Sequence, residues 1–351
     1  MKYKLYLNNY TNFIKFVFIF IFISTNKSFA IDLNKFSANK HSYQHNSINN
    51  SESIQQNNFK NSISLGIDEL DGVAHEIVYN YGKKISHLEW NFKDVKMLTI
   101  NYGRQVAPDL GFNITYSNSI DGGSRKSSMI DSDWLLNNYD DGDKYPNLWS
   151  DRSFHELNVQ RIQKFDIKSH ITLFNPDLRF NLGYRYQRFK FHDYVNNYIY
   201  SENDFRDETG NFGWVRCVSY EQMFYVPYLG LELNKSFLDD KFIFNIYSNY
   251  TPIATAKDID KHHRRGLEFT GNFKNVNFYN WGVGLSTKIY PDLYLGTNFD
   301  YTYYALTKGP LTVKDYTYEE SYKIAEDESE GIKNKTTQIS LFLKYNFNTQ
   351  F

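Results

Sequence analysis

The sequence predicts an all-β protein: a ten-stranded antiparallel transmembrane β-barrel with long extracellular loops and short periplasmic turns. Three observations lead there. The 351-residue chain opens with an export signal. It carries 30 Tyr and 29 Phe, yet its mean hydropathy is −0.59. Apolar and aromatic residues also recur at every second position in one segment after another. A barrel in an outer membrane needs this combination, because a lipid-facing band and aromatic girdles surround a polar interior.

Residues 1–30 are expected to be a signal peptide. Lys2, Lys4 and Lys15 precede the apolar run Phe16 to Ile23, and Ser28-Phe29-Ala30 supplies a small-x-small cleavage pattern. The run is too short to span a membrane as a helix. Residues 31–60 are rich in Asn, Ser, Gln and Lys without periodicity, and read as a flexible leader. Residues 61–351 form the predicted barrel domain. Four of the 39 basic residues lie in the signal and no acid does, so the mature chain carries a charge of about −5. That gives no case for a nucleic-acid partner. One cysteine, Cys217, leaves no internal disulfide in an exported chain.

The first strand is placed at 62–79 and the second at 85–105, joined near 80–84. Pro108-Asp109-Leu110 then turns the chain tightly, since Pro fixes φ and Asp bonds to local backbone. The third strand, 110–119, leads to a long outer loop at 120–154, and the fourth returns at 155–174. Pro176-Asp177-Leu178 repeats the same turn. In the fifth strand, 178–195, Leu178, Phe180, Leu182, Tyr184 and Tyr186 share one face. A loop at 196–219 precedes the sixth strand, 220–237. Leu238-Asp239-Asp240-Lys241 is a cousin of the other turns. It opens the seventh strand, 241–254, and a loop at 255–266. In the eighth, 267–290, one face carries Tyr279, Trp281, Val283, Leu285 and Ile289. Pro291-Asp292-Leu293 opens the ninth, 293–307, where Leu293, Leu295, Phe299, Tyr301 and Tyr303 alternate with polar residues. A loop at 308–334 precedes the tenth, 335–347, with Ile339, Leu341, Leu343, Tyr345 and Phe347 in register. A period of two with one apolar face is the strand signal. A soluble β-sandwich is the competing architecture, and the signal sequence and aromatic load weigh against it.

The candidate chemistry sits at the outer ends. Asp131 and Asp133, in MIDSDWL, alternate and would point the same way from an extended segment. Asp258, Asp260 and His262 alternate likewise in KDIDKHH, and Glu76 lies near the top of the first strand. Acids from separate connections thus converge at one mouth, as titratable groups do at sites. The bland reading is a set of solvated acidic loops. Asn138 to Asp143, NYDDGD, lacks a calcium-loop ligand pattern and reads as solvated.

MIDSDWL, LWSDRSFH (Leu148 to His155) and DIDKH (Asp258 to His262) resemble the omptin family of outer-membrane proteases. So do ISLGIDELDGVAHEIVY, YIYSENDFRD, FYVPYLGLEL and the closing FLKYNF, and the resemblance runs from Ile63 to Phe347. It implies a monomeric ten-stranded barrel in the outer membrane, with its active site facing the cell exterior. The substrates it implies are polypeptides with basic, preferably paired basic, residues at the cleavage site. Asp131 and Asp133 match the family's catalytic aspartate pair, and Asp260 and His262 its Asp–His dyad. Glu76 and Asp258 match acids that hold the basic side chain, while Asp151 and His155 match further positions of the acidic groove. A water between dyad and pair would attack the peptide carbonyl, with neither metal nor covalent nucleophile. The family also implies lipopolysaccharide as an activating lipid, at wall positions matched by Tyr184 and Arg188. Met223 stands where the family has a second wall arginine, a departure that bears on lipid dependence. An inactive barrel serving as an adhesin is the alternative function. A porin is excluded by strand number, since aqueous channels take about 16 strands.

Overall fold

The computed structural model describes residues 59–134, 148–324 and 327–349. The predicted signal peptide, nearly all of the predicted leader, and Asn138 to Asp143 lie outside the described residues.

Fourteen strand segments follow one another without a helix among the described residues. They are β1 (Phe59–Asn80), β2 (Lys83–Ala107), β3 (Leu110–Ser119), β4 (Ser128–Asp133), β5 (Asp151–Thr172), β6 (Leu178–Tyr200) and β7 (Glu208–Val215). The second half comprises β8 (Val218–Phe237), β9 (Phe242–His262), β10 (Leu267–Tyr290), β11 (Leu293–Gly309), β12 (Leu311–Asp315), β13 (Glu320–Lys323) and β14 (Glu330–Thr349). Antiparallel pairing runs β1–β2–β3–β5–β6–β8–β9–β10–β11–β14, and β14 pairs back onto β1. This ten-strand path therefore closes on itself. The other four segments extend it outward: β4 continues the β3 position between β2 and β5, β7 pairs β6, β12 pairs β10, and β13 pairs β12.

All four predicted short turns join consecutive strands. The Leu178 N–H donates to the Asn175 carbonyl at 2.9 Å, closing the second. Leu238, Asp239 and Asp240 all take positive φ in the third, and Asp292 does so in the fourth (φ 63°).

The predicted outward faces point outward. Ile63, Leu65, Ile67, Leu182, Trp281, Leu285, Leu341 and Leu343 are exposed large hydrophobics, forming the belt a bilayer covers. The interior at that level is polar and paired. Arg185 donates to Asp166 at 2.7 Å, the Tyr228 hydroxyl donates to Asp166 at 2.7 Å, and Gln338 donates to Asp68 at 2.7 Å. Above it lies an aromatic layer. Trp90 stacks on Tyr220 (5.2 Å) and on Phe191 (5.8 Å), and Phe224 on Tyr304 (3.7 Å). This layer closes the bore and makes a dry floor for the outer mouth.

The strands run further outward than the hydrophobic pattern predicts. β9 continues to His262, β6 to Tyr200, β5 begins at Asp151 and β14 at Glu330. Residues 255–262 and 128–133, expected in loops, are strand, and β1 takes in residues 59 and 60 of the predicted leader. The reason is physical. Above the bilayer the outer face meets water, so Lys257 and Lys261 replace lipid-facing apolar residues while the backbone ladder continues. The alternation of hydrophobicity disappears before the strand does.

Candidate functional site

The inward faces of β1, β4, β5, β9 and β14 bring acids together above the aromatic floor. They lie well beyond the apolar belt. On β1, Ile67 is the last strongly exposed apolar residue before the outer end, and Glu76 is nine positions further along.

Asp131 and Asp133 alternate on β4, opposite Leu88 and Ser86 of β2 and opposite Ser153 and Asp151 of β5. Ser86 Oγ reaches Asp131 at 3.5 Å. Burial pushes the Asp131 carboxyl well above its usual range, and the charges of Asp133 and Asp260 add to this. Burial also raises Asp133, opposed by Ser86, Arg265 and His262. The charges of Asp260, His262 and Arg265 thus act on the β4 acids. One proton shared between Asp131 and Asp133 relieves their repulsion.

On β9, Asp260 is buried and its Oδ2 lies 2.5 Å from His262 Nε2. Phe269 sets its edge against the imidazole at 5.2 Å. Arg265, in the β9–β10 turn, places its guanidinium against His262 Nδ1. His263 faces elsewhere, bonded to Ser219 at 2.7 Å. Lys261 points outward and pairs with Glu268 at 2.7 Å, away from the dyad.

Beside the dyad lies a carboxyl pocket. Asp258 accepts from the Tyr220 hydroxyl and from the Gly271 N–H, each at 2.9 Å. Glu76 and Glu330 are buried, and Glu76 Oε2 and both Glu330 oxygens meet no donor among the described residues. Glu330 touches the carboxyls of Asp258 and Glu76, which donate to it only when protonated. Burial pushes Glu76 and Glu330 well above the carboxylate range and Asp258 up to about 7. Three carboxyls in one buried pocket have the chemistry to hold a guanidinium or ammonium. Gly271 makes room: a Cβ there would lie 2.1 Å from Glu330 Oε2 and 2.5 Å from Asp258 Oδ1.

Asp151, at the outer end of β5, and His155, four residues below it, are both buried. Asp151 accepts the Ser201 N–H at 3.1 Å. His155 is buried between Ser153 Oγ (2.6 Å from Nε2) and the Asp193 carboxylate. Asp193 in turn accepts the Val218 N–H at 2.6 Å. The set reads as a brace tying β5, β6 and β8. Cys217 is half-buried and its thiol is pushed up, chiefly by burial, so it is not poised as a nucleophile.

Sequence reasoning passed over Glu330, Asp193 and Tyr200. Glu330 lies in the acidic run Glu319 to Gly331, within the loop predicted at 308–334, and nothing in that run singles it out. Tyr200, raised to about 12 by burial and by Asp131 and Asp133, stays a phenol beside the aspartate pair.

On the outer wall of β6, Arg188 grips Glu221 through Nε (2.8 Å) and Nη2 (2.9 Å). Met223 is its register partner on β8, and Lys257 of β9 is the partner of Met223.

Residues 55–347 match the Omptin family. The chain belongs to the omptin family. Membership makes it a protease and places it in the outer membrane. Among its relatives is the outer membrane protease IcsP of Shigella flexneri, 28% identical over 76% of this chain and 83% of the relative. The plasminogen activator of Yersinia pestis is 28% identical over 84% of this chain and 91% of the relative. The crystal structure of outer membrane protease OmpT from Escherichia coli superposes with a TM-score of 0.74 at 24% identity, over 85% of this chain and 99% of that one. This omptin thus shares the barrel architecture of that structure.

Proposed function

We propose that this omptin cleaves polypeptides at the cell surface at paired basic residues, using a water activated by His262 and Asp260 and positioned by Asp131 and Asp133. One observation carries the reading. The β4 acids and the β9 dyad both lie at the outer ends of their strands, and the charges of Asp260 and His262 act on the aspartate pair. Asp260 accepts Nε2–H and fixes the tautomer, leaving the Nδ1 lone pair as the base. His262 takes the water proton as oxygen attacks the carbonyl, and Asp260 steadies the imidazolium. The half-protonated pair hydrogen-bonds the water and then the tetrahedral oxygen. The proton on His262 passes to the leaving amine. Glu76, Asp258 and Glu330 hold the basic side chain before the scissile bond.

The wall of β6 is the proposed seat of lipopolysaccharide. Arg188 and Tyr184 would meet lipid phosphate, and Lys257, in register beside Met223, supplies a second cation near the position where an arginine is lacking. The protein is proposed to act as a monomer.

The test is a dibasic peptide offered to refolded barrel, with and without lipopolysaccharide. His262→Ala, Asp131→Ala and Asp133→Ala should keep heat-modifiable mobility and lose cleavage by about 10²–10⁴-fold, the usual worth of general-base help. Full activity in His262→Ala refutes the mechanism, and an inert wild type with lipid present favours the adhesin reading.

A further inference from the structure

Behind the pocket, on the outer face of the same wall, lies a second group of ligating side chains. Glu76 and Leu88 point inward as register partners on β1 and β2, so the flanking His75, His87 and Glu89 point outward. His75 faces Glu89 across the ladder. Its Nδ1 lies 3.0 Å from His87 Nε2 and 3.8 Å from Glu89 Oε2. One ligand atom from each of the three residues falls within 4.8 Å of the others. The two ring planes are 26° apart. Glu89 keeps its second oxygen on Asn91 Nδ2 at 2.7 Å, which aims the first at the histidines. Such a carboxylate anchor is what orients a metal ligand.

We propose that His75, His87 and Glu89 form an outer-wall site for a divalent transition-metal ion of the zinc class, with water completing a tetrahedron. Bonds of about 2.0–2.1 Å to a tetrahedral ion put neighbouring ligand atoms about 3.3 Å apart. The two shortest separations bracket that value, so small side-chain rotations suffice. The ion would take the place between the two ring nitrogens, and the hydrogen-bonding proton would move to the far nitrogen of its own imidazole, leaving both ligands neutral. Lys84, Lys333 and Arg152 exert positive charge on this group. They oppose a hard ion held by charge alone, such as Mg²⁺, more than an ion held by imidazole lone pairs. The consequence is mechanical. Leu88, between two of the ligands, is the register partner of both Glu76 and Asp131. An ion here ties β1 to β2 directly behind the proposed pocket and catalytic pair.

Calorimetric titration of the refolded full-length barrel with Zn²⁺ alone tests this, alongside its thermal unfolding. One equivalent should bind and raise the melting temperature, and Mg²⁺ should do neither. His75→Ala and His87→Ala should each weaken binding roughly tenfold or more, with a smaller loss in Glu89→Gln. Unchanged affinity in both histidine variants overturns the site. Loss of binding in His262→Ala with retention in His87→Ala also overturns it, because the ion then sits on the dyad. If a variant fails to refold, the Co²⁺ spectrum of the wild type decides: intense tetrahedral bands support the site, and a weak octahedral spectrum overturns it.

Discussion

A carboxyl with no donor around it is stable in a dry pocket only while protonated or while facing a cation. Glu330 is such a group, at 0% exposure, with Asp258 and Glu76 against it. It should therefore matter to substrate binding. Glu330→Gln removes one charge and keeps the shape. Its KM for a peptide with arginine before the scissile bond should rise about tenfold or more, as one charge-assisted bond is worth about 1.5–3 kcal/mol. The kcat should fall less, and a KM equal to wild type refutes its place in the pocket. Arg265 makes the opposite case. Its guanidinium rests on His262 Nδ1 and lowers both aspartates of the pair. A substrate has to displace it, so Arg265→Ala should lower KM for the same peptide. A raised KM would mean the arginine helps to hold substrate. These residues differ in how visible they are from the chain alone. Asp131 with Asp133, and Asp258 with Asp260 and His262, announce themselves by spacing two apart. Glu330 is spaced two from Glu328 as well, but its neighbours in the pocket come from β1 and β9, so spacing along the chain does not reveal its role.

Elements follow the same division between what pattern encodes and what tertiary contact decides. The four short turns opposite the outer mouth are written in Pro-Asp or Leu-Asp-Asp, whose local chemistry needs no distant partner. The lipid-facing stretches are equally plain, since hydrocarbon enforces alternation. The outer halves of β9 and β5, and all of β4, are not. There the ladder itself holds the strand, with Asp131 paired to Leu88 and Ser153 and neither face uniformly apolar. One glycine shows how tightly these outer halves are fitted. Gly271 on β10 donates its N–H to Asp258 and leaves room for Glu330. Gly271→Ala puts a methyl group where two carboxyl oxygens stand. The barrel should still close, because β10 keeps its ladder to β9, β11 and β12. Cleavage after basic residues should fall by an order of magnitude or more, about what one misplaced contact costs. Heat-modifiable mobility with wild-type activity would show that the carboxyls can move aside at little cost.

At the scale of the whole molecule, the buried acids of the pocket make stability depend on pH, and the sign can be worked out. Asp258 is held up at about 7 and Glu330 well above its usual range, both chiefly by burial. An acid whose folded pKa exceeds its unfolded one binds more protons when folded. Its stabilising contribution is complete below the unfolded carboxylate range and is lost as pH rises through the folded value. His75 and His87 act oppositely, since burial lowers them, with His75 near 4. Their titration is nearly complete by about pH 7.5, where unfolded imidazoles of pKa about 6.5 are about nine-tenths neutral. Between about pH 7.5 and 8.5 the buried acids, those of the pocket together with Asp131, therefore decide the slope. Thermal unfolding of the ligand-free barrel should move to lower temperature across that window. Glu330→Gln should flatten the fall and raise the melting temperature at its alkaline end, the trade of stability for function expected of a charged site. A non-cleavable peptide carrying paired arginines should do the same in the wild type, because a guanidinium compensates the charges that burial penalises. A melting temperature that rises with pH in the empty wild type, or a peptide without effect on it, would remove the pocket acids from the account of both stability and specificity.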